Sequence, residues 1–344
     1  MKGSIRLRRL RALSLAALAL LGCGNSESSR RPPLGKPSDA RVTQVLATAS
    51  TSVAAISTTA TTTSAQVPST PGKRGMHEPS AEYRQRYAWL EAGIKIRTLE
   101  ESFEPPAGYS RKALPAESFS SFLRQLPLRA EGSPVNTYER KLLLEGGDPR
   151  IAAVAELDLS YADIQQCADS VIRLHAEWRW SQNTAESVGY HFLSGDYAKW
   201  SRYREGQRPK VDGAKVVWVG GLALKNDHAS YRKYLDMVFN YASTISLAGK
   251  SSQAVERSDV RAGDFFILPG GPGHVILILD LAENPEGKRM ALLGQGYMPA
   301  QDFQVLRGES GGWFDLQGDS VDTPFWPVPF PWSSLHRMKE AAAP

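Results

Sequence analysis

Three side chains of this 344-residue chain are of the types that acyl transfer from an amide requires: a thiol at Cys167, an imidazole at His274 and a carboxamide at Gln295. A thiol hydrolase needs a nucleophile, a base that takes its proton, and a group that orients the base. His274 opens an apolar run directly after Gly270-Gly271-Pro272-Gly273. That run ends in Asn284-Pro285-Glu286-Gly287, a hairpin signal, and the next apolar run ends at Gln295. A register centred between Pro285 and Glu286 sets Gln295 opposite Ile276, on the face of His274 and diagonal to it. From there its amide oxygen can accept from the ring N–H, as an Asn does in Cys-His-Asn sites. A slip of one residue would turn Gln295 to the other face. Asp280 shares the face of His274 but lies about 20 Å along the strand, too far to orient the ring.

Cys167 sits in the best helical pattern of the chain, over residues 164–180. Ile164, Cys167, Ala168, Val171, Leu174, His175 and Trp178 form one stripe. Ser160 and Asp163 both qualify as its N-cap. With Asp163 as cap, Cys167 lies just past the first turn, where the helix dipole favours a thiolate. With Ser160 as cap it lies a turn deeper and the effect fades. Each residue also has a plain structural role open to it. Cys167 belongs to an apolar stripe, and free Cys is among the most buried residue types. His274 could be a satisfied strand-end imidazole, and Gln295 could cap a sheet edge. Asp264 reads as a turn residue bonding the backbone, and His175 and Glu177 as helix-surface residues. No metal-ligand spacing links them to other His, Cys or carboxylate side chains, and no cofactor is implied. The scattered Trp residues read as core.

The elements that must position these groups are intermixed helices and strands. Strands are expected over residues 94–97, 152–159, 189–193 and 216–219, and helices over 118–126 and 231–241. Without regular βαβ alternation, the pattern favours an α+β domain with a mostly antiparallel sheet packed on the Cys-bearing helix.

The formal net charge of +5 is a feature of the N-terminus. Lys2, Arg6, Arg8, Arg9 and Arg11 precede an apolar run over residues 13–21, too short to span a membrane and patterned as a secretory signal. The rest of the chain is formally neutral, so charge offers no argument for nucleic acid. Leu20-Leu21-Gly22-Cys23 resembles a bacterial lipobox, which implies lipid on Cys23 after removal of residues 1–22. The only other cysteine is Cys167, a lone thiol in an exported chain and therefore either buried or reactive. Residues 23–80, rich in Ser, Thr, Ala and Pro, read as a disordered tether, and residues 81–344 as a single globular domain.

Two resemblances follow from these residues. Gln165-Gln166-Cys167-Ala168-Asp169, Arg232-Lys233-Tyr234-Leu235, Pro272-Gly273-His274 and Gln295-Gly296-Tyr297-Met298-Pro299-Ala300-Gln301-Asp302 together resemble the bacterial family called domain of unknown function 4846, over residues 87–316. Gly263-Asp264-Phe265-Phe266 and Gly273-His274-Val275, with a Cys on an upstream helix, are similar to NlpC/P60-type papain-like cysteine hydrolases. Those enzymes use Cys, His and a third polar residue in that chain order, and many cut peptidoglycan peptides. Here Gln-Gln-Cys-Ala-Asp stands where their Asp-Cys-Ser-Gly is usual, which puts the nucleophile in question. The oxyanion donor is open between the Gln166 side chain and the Cys167 N–H.

The resemblance implies a papain-like core in an exported, lipid-anchored protein of the cell envelope. Its partners would be the membrane, through the lipid, and peptidoglycan or another envelope peptide, with Cys167 as nucleophile, His274 as base and Gln295 as orienter. The alternative is a non-catalytic envelope-binding lipoprotein on the same scaffold.

Overall fold

His274–Glu283 is the central strand of an eight-stranded sheet in which neighbouring strands pair antiparallel. In chain order the strands are β1 (Ile151–Val154), β2 (Ser252–Ala254), β3 (Phe265–Leu268), β4 (His274–Glu283), β5 (Arg289–Gln295), β6 (Gln304–Leu306), β7 (Phe314–Asp315) and β8 (Leu335–Met338). They lie in the order β2-β8-β3-β4-β5-β6-β1, with β7 added on β5. The helices used below are α1 (Ala81–Arg86), α2 (Phe119–Arg124), α3 (Cys167–Ser181) and α4 (His228–Tyr241). The computed structural model describes residues 75–339, all within one compact unit. The segment read above as a secretory signal, and Cys23, lie outside them. The fold is α+β.

Both faces of the sheet are covered, which explains why β4 reads as a continuous apolar run. Phe265, Ile267, Val275, Leu277 and Leu279 share one core with Cys167, Val171 and Leu174 of α3. Phe266, Ile276, Ile278, Ala291 and Leu293 share another with Leu316, Val321, Phe330 and Leu335. The second cover comes from the Trp- and Pro-rich end of the chain, whose role is not visible in its local pattern.

The β4–β5 hairpin contains the feature that matters most for the site. Near the turn, Glu283 faces Arg289 and Ala282 faces Met290. That register centres on Glu286, one half-step from the expected centre, and would by itself set Gln295 opposite Leu277, on the wrong face. A bulge at Leu279 then shifts the pairing, so that Ile278 faces Leu293 and Leu277 faces Gly294. Continued by one residue, this register sets Gln295 opposite Ile276. The bulge also overturns the expectation that Asp280 shares the His274 face. Beyond it Ala282 joins the core that holds Leu279, and the Asp280 carboxylate receives Arg124 of α2 at 2.9 Å and Arg111 at 2.6 Å.

The start of α3 also differs from expectation. Residues 160–166 are non-helical, Gln166 is the N-cap, and Cys167 is the first helical residue. Asp163 is engaged elsewhere: its Oδ1 accepts from the Ala300 N–H at 2.6 Å and from Gln166 Nε2 at 3.0 Å. Ser160 bonds Asp236 and Arg232 of α4. With both caps drawn into long-range contacts, Asp169 holds the chain entry by accepting the Gln166 N–H at 3.2 Å. His175 and Glu177 are buried, not on the helix surface. His175 bonds the Tyr190 hydroxyl, and Glu177 holds Arg173 and His228. Residues 77–80, read above as part of the tether, belong to the domain: His77 bridges to Ile96 and Ser80 caps α1.

Asp280 is fully buried between two arginines. Asp280→Ala should cost about 3–5 kcal/mol, because it leaves two largely buried cations unpaired. Glu283→Ala removes partly exposed pairs to Lys112 and Arg289 and should cost no more than about 1 kcal/mol. Urea midpoints of the two variants check the contrast.

Candidate active site

The thiol meets the sheet at the start of β4. Cys167 Sγ lies 4.0 Å from the Gly273 carbonyl oxygen, and the Val275 N–H is close enough to favour its anion. The sulfur therefore rests against the backbone on either side of His274. Two glycines permit this approach. A Cβ at Gly296, just past the end of β5, would lie 2.1 Å from Ser170 Oγ and 2.9 Å from the Gln166 carbonyl oxygen. Only a glycine lets the chain pass the first turn of α3 here. A Cβ at Gly273 would lie 2.5 Å from Thr244 Oγ1 and 2.7 Å from the Leu268 carbonyl oxygen.

His274 and Gln295 are in direct contact, with Nε2 of the ring 2.8 Å from Oε1 of the carboxamide. His274 Nδ1 is buried and has no hydrogen-bond partner among the described residues. The imidazole is walled by aromatic rings. Trp326 stacks on it with centroids 4.8 Å apart and planes 25° apart, and Tyr297 meets it edge-on at 4.9 Å. The Tyr297 hydroxyl donates to the Phe325 carbonyl at 3.2 Å, and the Arg150 guanidinium lies 4.3 Å from the Phe325 ring centre. The segment carrying Phe325 and Trp326 is thus fastened over the ring. Cys167 is 5% exposed and His274 is 0% exposed.

This burial sets the charge states. Burial pushes the Cys167 thiol up to about 12, and the neighbouring Asp169 carboxyl adds to the rise. The N–H groups of Ala168, Val275 and Cys167 itself pull the other way. Burial pulls His274 down to about 4, opposed by its bond to Gln295. Asp169 is raised well above the usual carboxylate range by its own burial, and its Oδ1 has no partner among the described residues. At neutral pH the closed site holds a neutral thiol and a neutral imidazole. The helix start lowers the cost of a thiolate, but desolvation outweighs it.

Gln166, the candidate oxyanion donor, has its side-chain N–H bonded to Asp163. The backbone N–H groups of Ala168, Val275 and Cys167 itself all favour an anion on the sulfur. Sequence reasoning missed Tyr297, Trp326, Gln301 and Gln304. Gln304 had a signal: it is a lone carboxamide inside the apolar run Phe303-Gln304-Val305-Leu306. Trp326 had none, since its contact depends on how the chain end folds back. Among the described residues, no three His, Cys, Asp or Glu side chains converge as a metal cluster would.

Two pH dependences follow. Between about pH 6.5, the ordinary imidazole value, and about 4, the folded-state value of His274, the unfolded chain takes up a proton that folded His274 does not. Its contribution to stability is complete above that window and is lost as pH falls through it. In His274→Ala, the slope of unfolding free energy against pH across the window should flatten by up to about 1.4 kcal/mol per pH unit. Urea titrations at a series of pH values read this out. For Cys167, alkylation of the folded chain by a small neutral reagent should keep rising through pH 10. In the unfolded chain it should level off above about 8.5, the ordinary thiol value.

Comparison with curated proteins and with solved structures returned no match for the chain. A family model described as domain of unknown function 4846 matches residues 99–337, which include every site residue described above. The chain belongs to that family.

Proposed function

We propose that this domain is a papain-like cysteine hydrolase or amidase. The observation that carries the reading is the His274–Gln295 bond at 2.8 Å, with the second ring nitrogen unpartnered, at the strand end where Cys167 Sγ rests. In the reaction, Cys167 gives its proton to His274 Nδ1 as the sulfur attacks the amide carbonyl carbon. The N–H groups at the start of α3 receive the developing oxyanion. The protonated imidazole then donates to the leaving amine as the C–N bond breaks, which leaves a thioester. Water, deprotonated by the same ring, releases the acid and restores the thiol. Gln295 keeps the ring oriented throughout. The N-terminal pattern ending at Cys23 supports export and lipid attachment, and so a cell-envelope peptide or peptidoglycan stem as substrate.

A non-catalytic envelope-binding lipoprotein is the second reading. The burial of Cys167 and His274 beneath Trp326 favours it. The hydrolase reading requires the Phe325–Trp326 segment to move aside when substrate binds, and the unpartnered ring nitrogen to close on Cys167 Sγ.

The mature protein, offered purified cell-wall peptides, should release new amino termini, and Cys167→Ala should lower that turnover by about a thousandfold or more. A peptide chloromethyl ketone should alkylate Cys167 of the native protein once, with loss of chloride, and should leave Cys167→Ala unmodified, as read by intact mass. If Cys167 is modified only after unfolding, and Cys167→Ala binds cell-wall material as the wild type does, the hydrolase reading fails and the binding reading stands.

A further inference from the structure

Behind Gln295 lies a chain of buried carboxamides. Gln295 Nε2 donates to Gln304 Oε1 at 3.2 Å, Gln304 Nε2 donates to Gln301 Oε1 at 2.7 Å, and Gln301 Nε2 donates to the Pro299 carbonyl oxygen at 3.0 Å. The three side chains are 1%, 0% and 3% exposed, so solvent cannot substitute for a lost partner. A carboxamide can be turned end for end, and its direction is set by its hydrogen-bond partners. Here the direction is not free, because a backbone carbonyl can only accept. Gln301 must therefore present its NH2 to Pro299 and its oxygen to Gln304. The same logic passes through Gln304 to Gln295, whose oxygen must face His274. That oxygen can only accept, so the proton of the neutral imidazole sits on Nε2 and the lone pair sits on Nδ1.

We infer that Gln304 and Gln301 are positioning residues that select the Nε2–H tautomer of His274, a relay anchored on the Pro299 carbonyl that leaves Nδ1 as the free base. The catalytic value of that tautomer rests on the hydrolase reading above; the tautomer itself does not. With the other tautomer, Nδ1 would carry a proton and could not accept one from Cys167. A flipped Gln295 would stabilise that inactive form by donating its NH2 to Nε2. Gln304 touches none of the reacting atoms and acts only through the direction it imposes.

The test is 15N NMR of the histidine-labelled protein near pH 7, with the His274 signals assigned by their loss in His274→Ala. The wild type should show a protonated Nε2 and an unprotonated Nδ1. Gln304→Met keeps the volume and removes the acceptor for Gln295, so the ring should shift to a mixture of tautomers or to Nδ1–H. Gln304→Glu should keep the wild-type pattern, because a carboxyl oxygen accepts from Gln295 in either protonation state. A wild-type ring protonated on Nδ1 would overturn the relay without need of any variant, and so would an unchanged tautomer in folded Gln304→Met. No turnover is needed for this readout, so a correct tautomer in a protein without hydrolytic activity refutes the hydrolase reading alone. If activity is present, kcat in Gln304→Met should fall by about tenfold or more with KM little changed, and Gln304→Glu should recover it.

Discussion

The pairing register of the β4–β5 hairpin is the constraint on which the site depends. Side chains alternate along a strand, so one residue of slip moves Gln295 to the opposite face and breaks its contact with His274. The turn alone does not supply the right register; the extra residue at Leu279 does. The same bulge turns Asp280 toward Arg111 and Arg124, so one local irregularity both aligns the imidazole's partner and ties β4 to α2. Bulges recur where a strand has to re-aim a side chain, and here both outcomes involve groups that cannot be left unpaired in a dry interior.

The second constraint is space at the first turn of α3. Cys167 reaches the start of β4 because the chain at Gly296 carries no side chain and because Gln166, not an earlier residue, caps the helix. The thiol sits at the helix start, where unpaired N–H groups favour an anion. The surrounding apolar core and the Asp169 carboxyl work against it, and desolvation wins in the closed state. The imidazole is subject to the same balance, held neutral by burial beneath Trp326 and Tyr297. His274 is paired with Gln295 and both titrating groups are uncharged, but the ring Nδ1 has no partner among the described residues. Displacing the aromatic cover would alter the solvation and the basicity of the ring together.

The glutamine chain behind His274 illustrates how buried polar groups gain specificity from being fully paired. Each carboxamide in it has one donor and one acceptor engaged, and the order of the links is dictated by its fixed end at Pro299. In a medium of low polarity a reversed amide would set donor against donor, at a cost of about 1–3 kcal/mol for each group left unsatisfied. The network therefore has one direction, and it passes that direction to the ring.

The sequence by itself determined the chemistry available and much of its local placement. A thiol on an amphipathic helix, an imidazole after a glycine-rich turn and a carboxamide at the end of the paired strand are visible because hairpins and amphipathic helices have short-range periodicity. The α+β class follows from the same patterns, as does the Asp264 side chain bonding the Arg261 N–H. Tertiary structure decided where α3 begins, since Asp163 is taken by the Ala300 N–H and Ser160 by α4. It decided the bulge at Leu279, the burial of His175 and Glu177, and the cover supplied by Phe325 and Trp326, more than fifty positions beyond His274. These are outcomes of competition between local and distant partners for the same hydrogen-bonding group or apolar face. A local pattern shows only one side of that competition, and the fold decides which partner prevails.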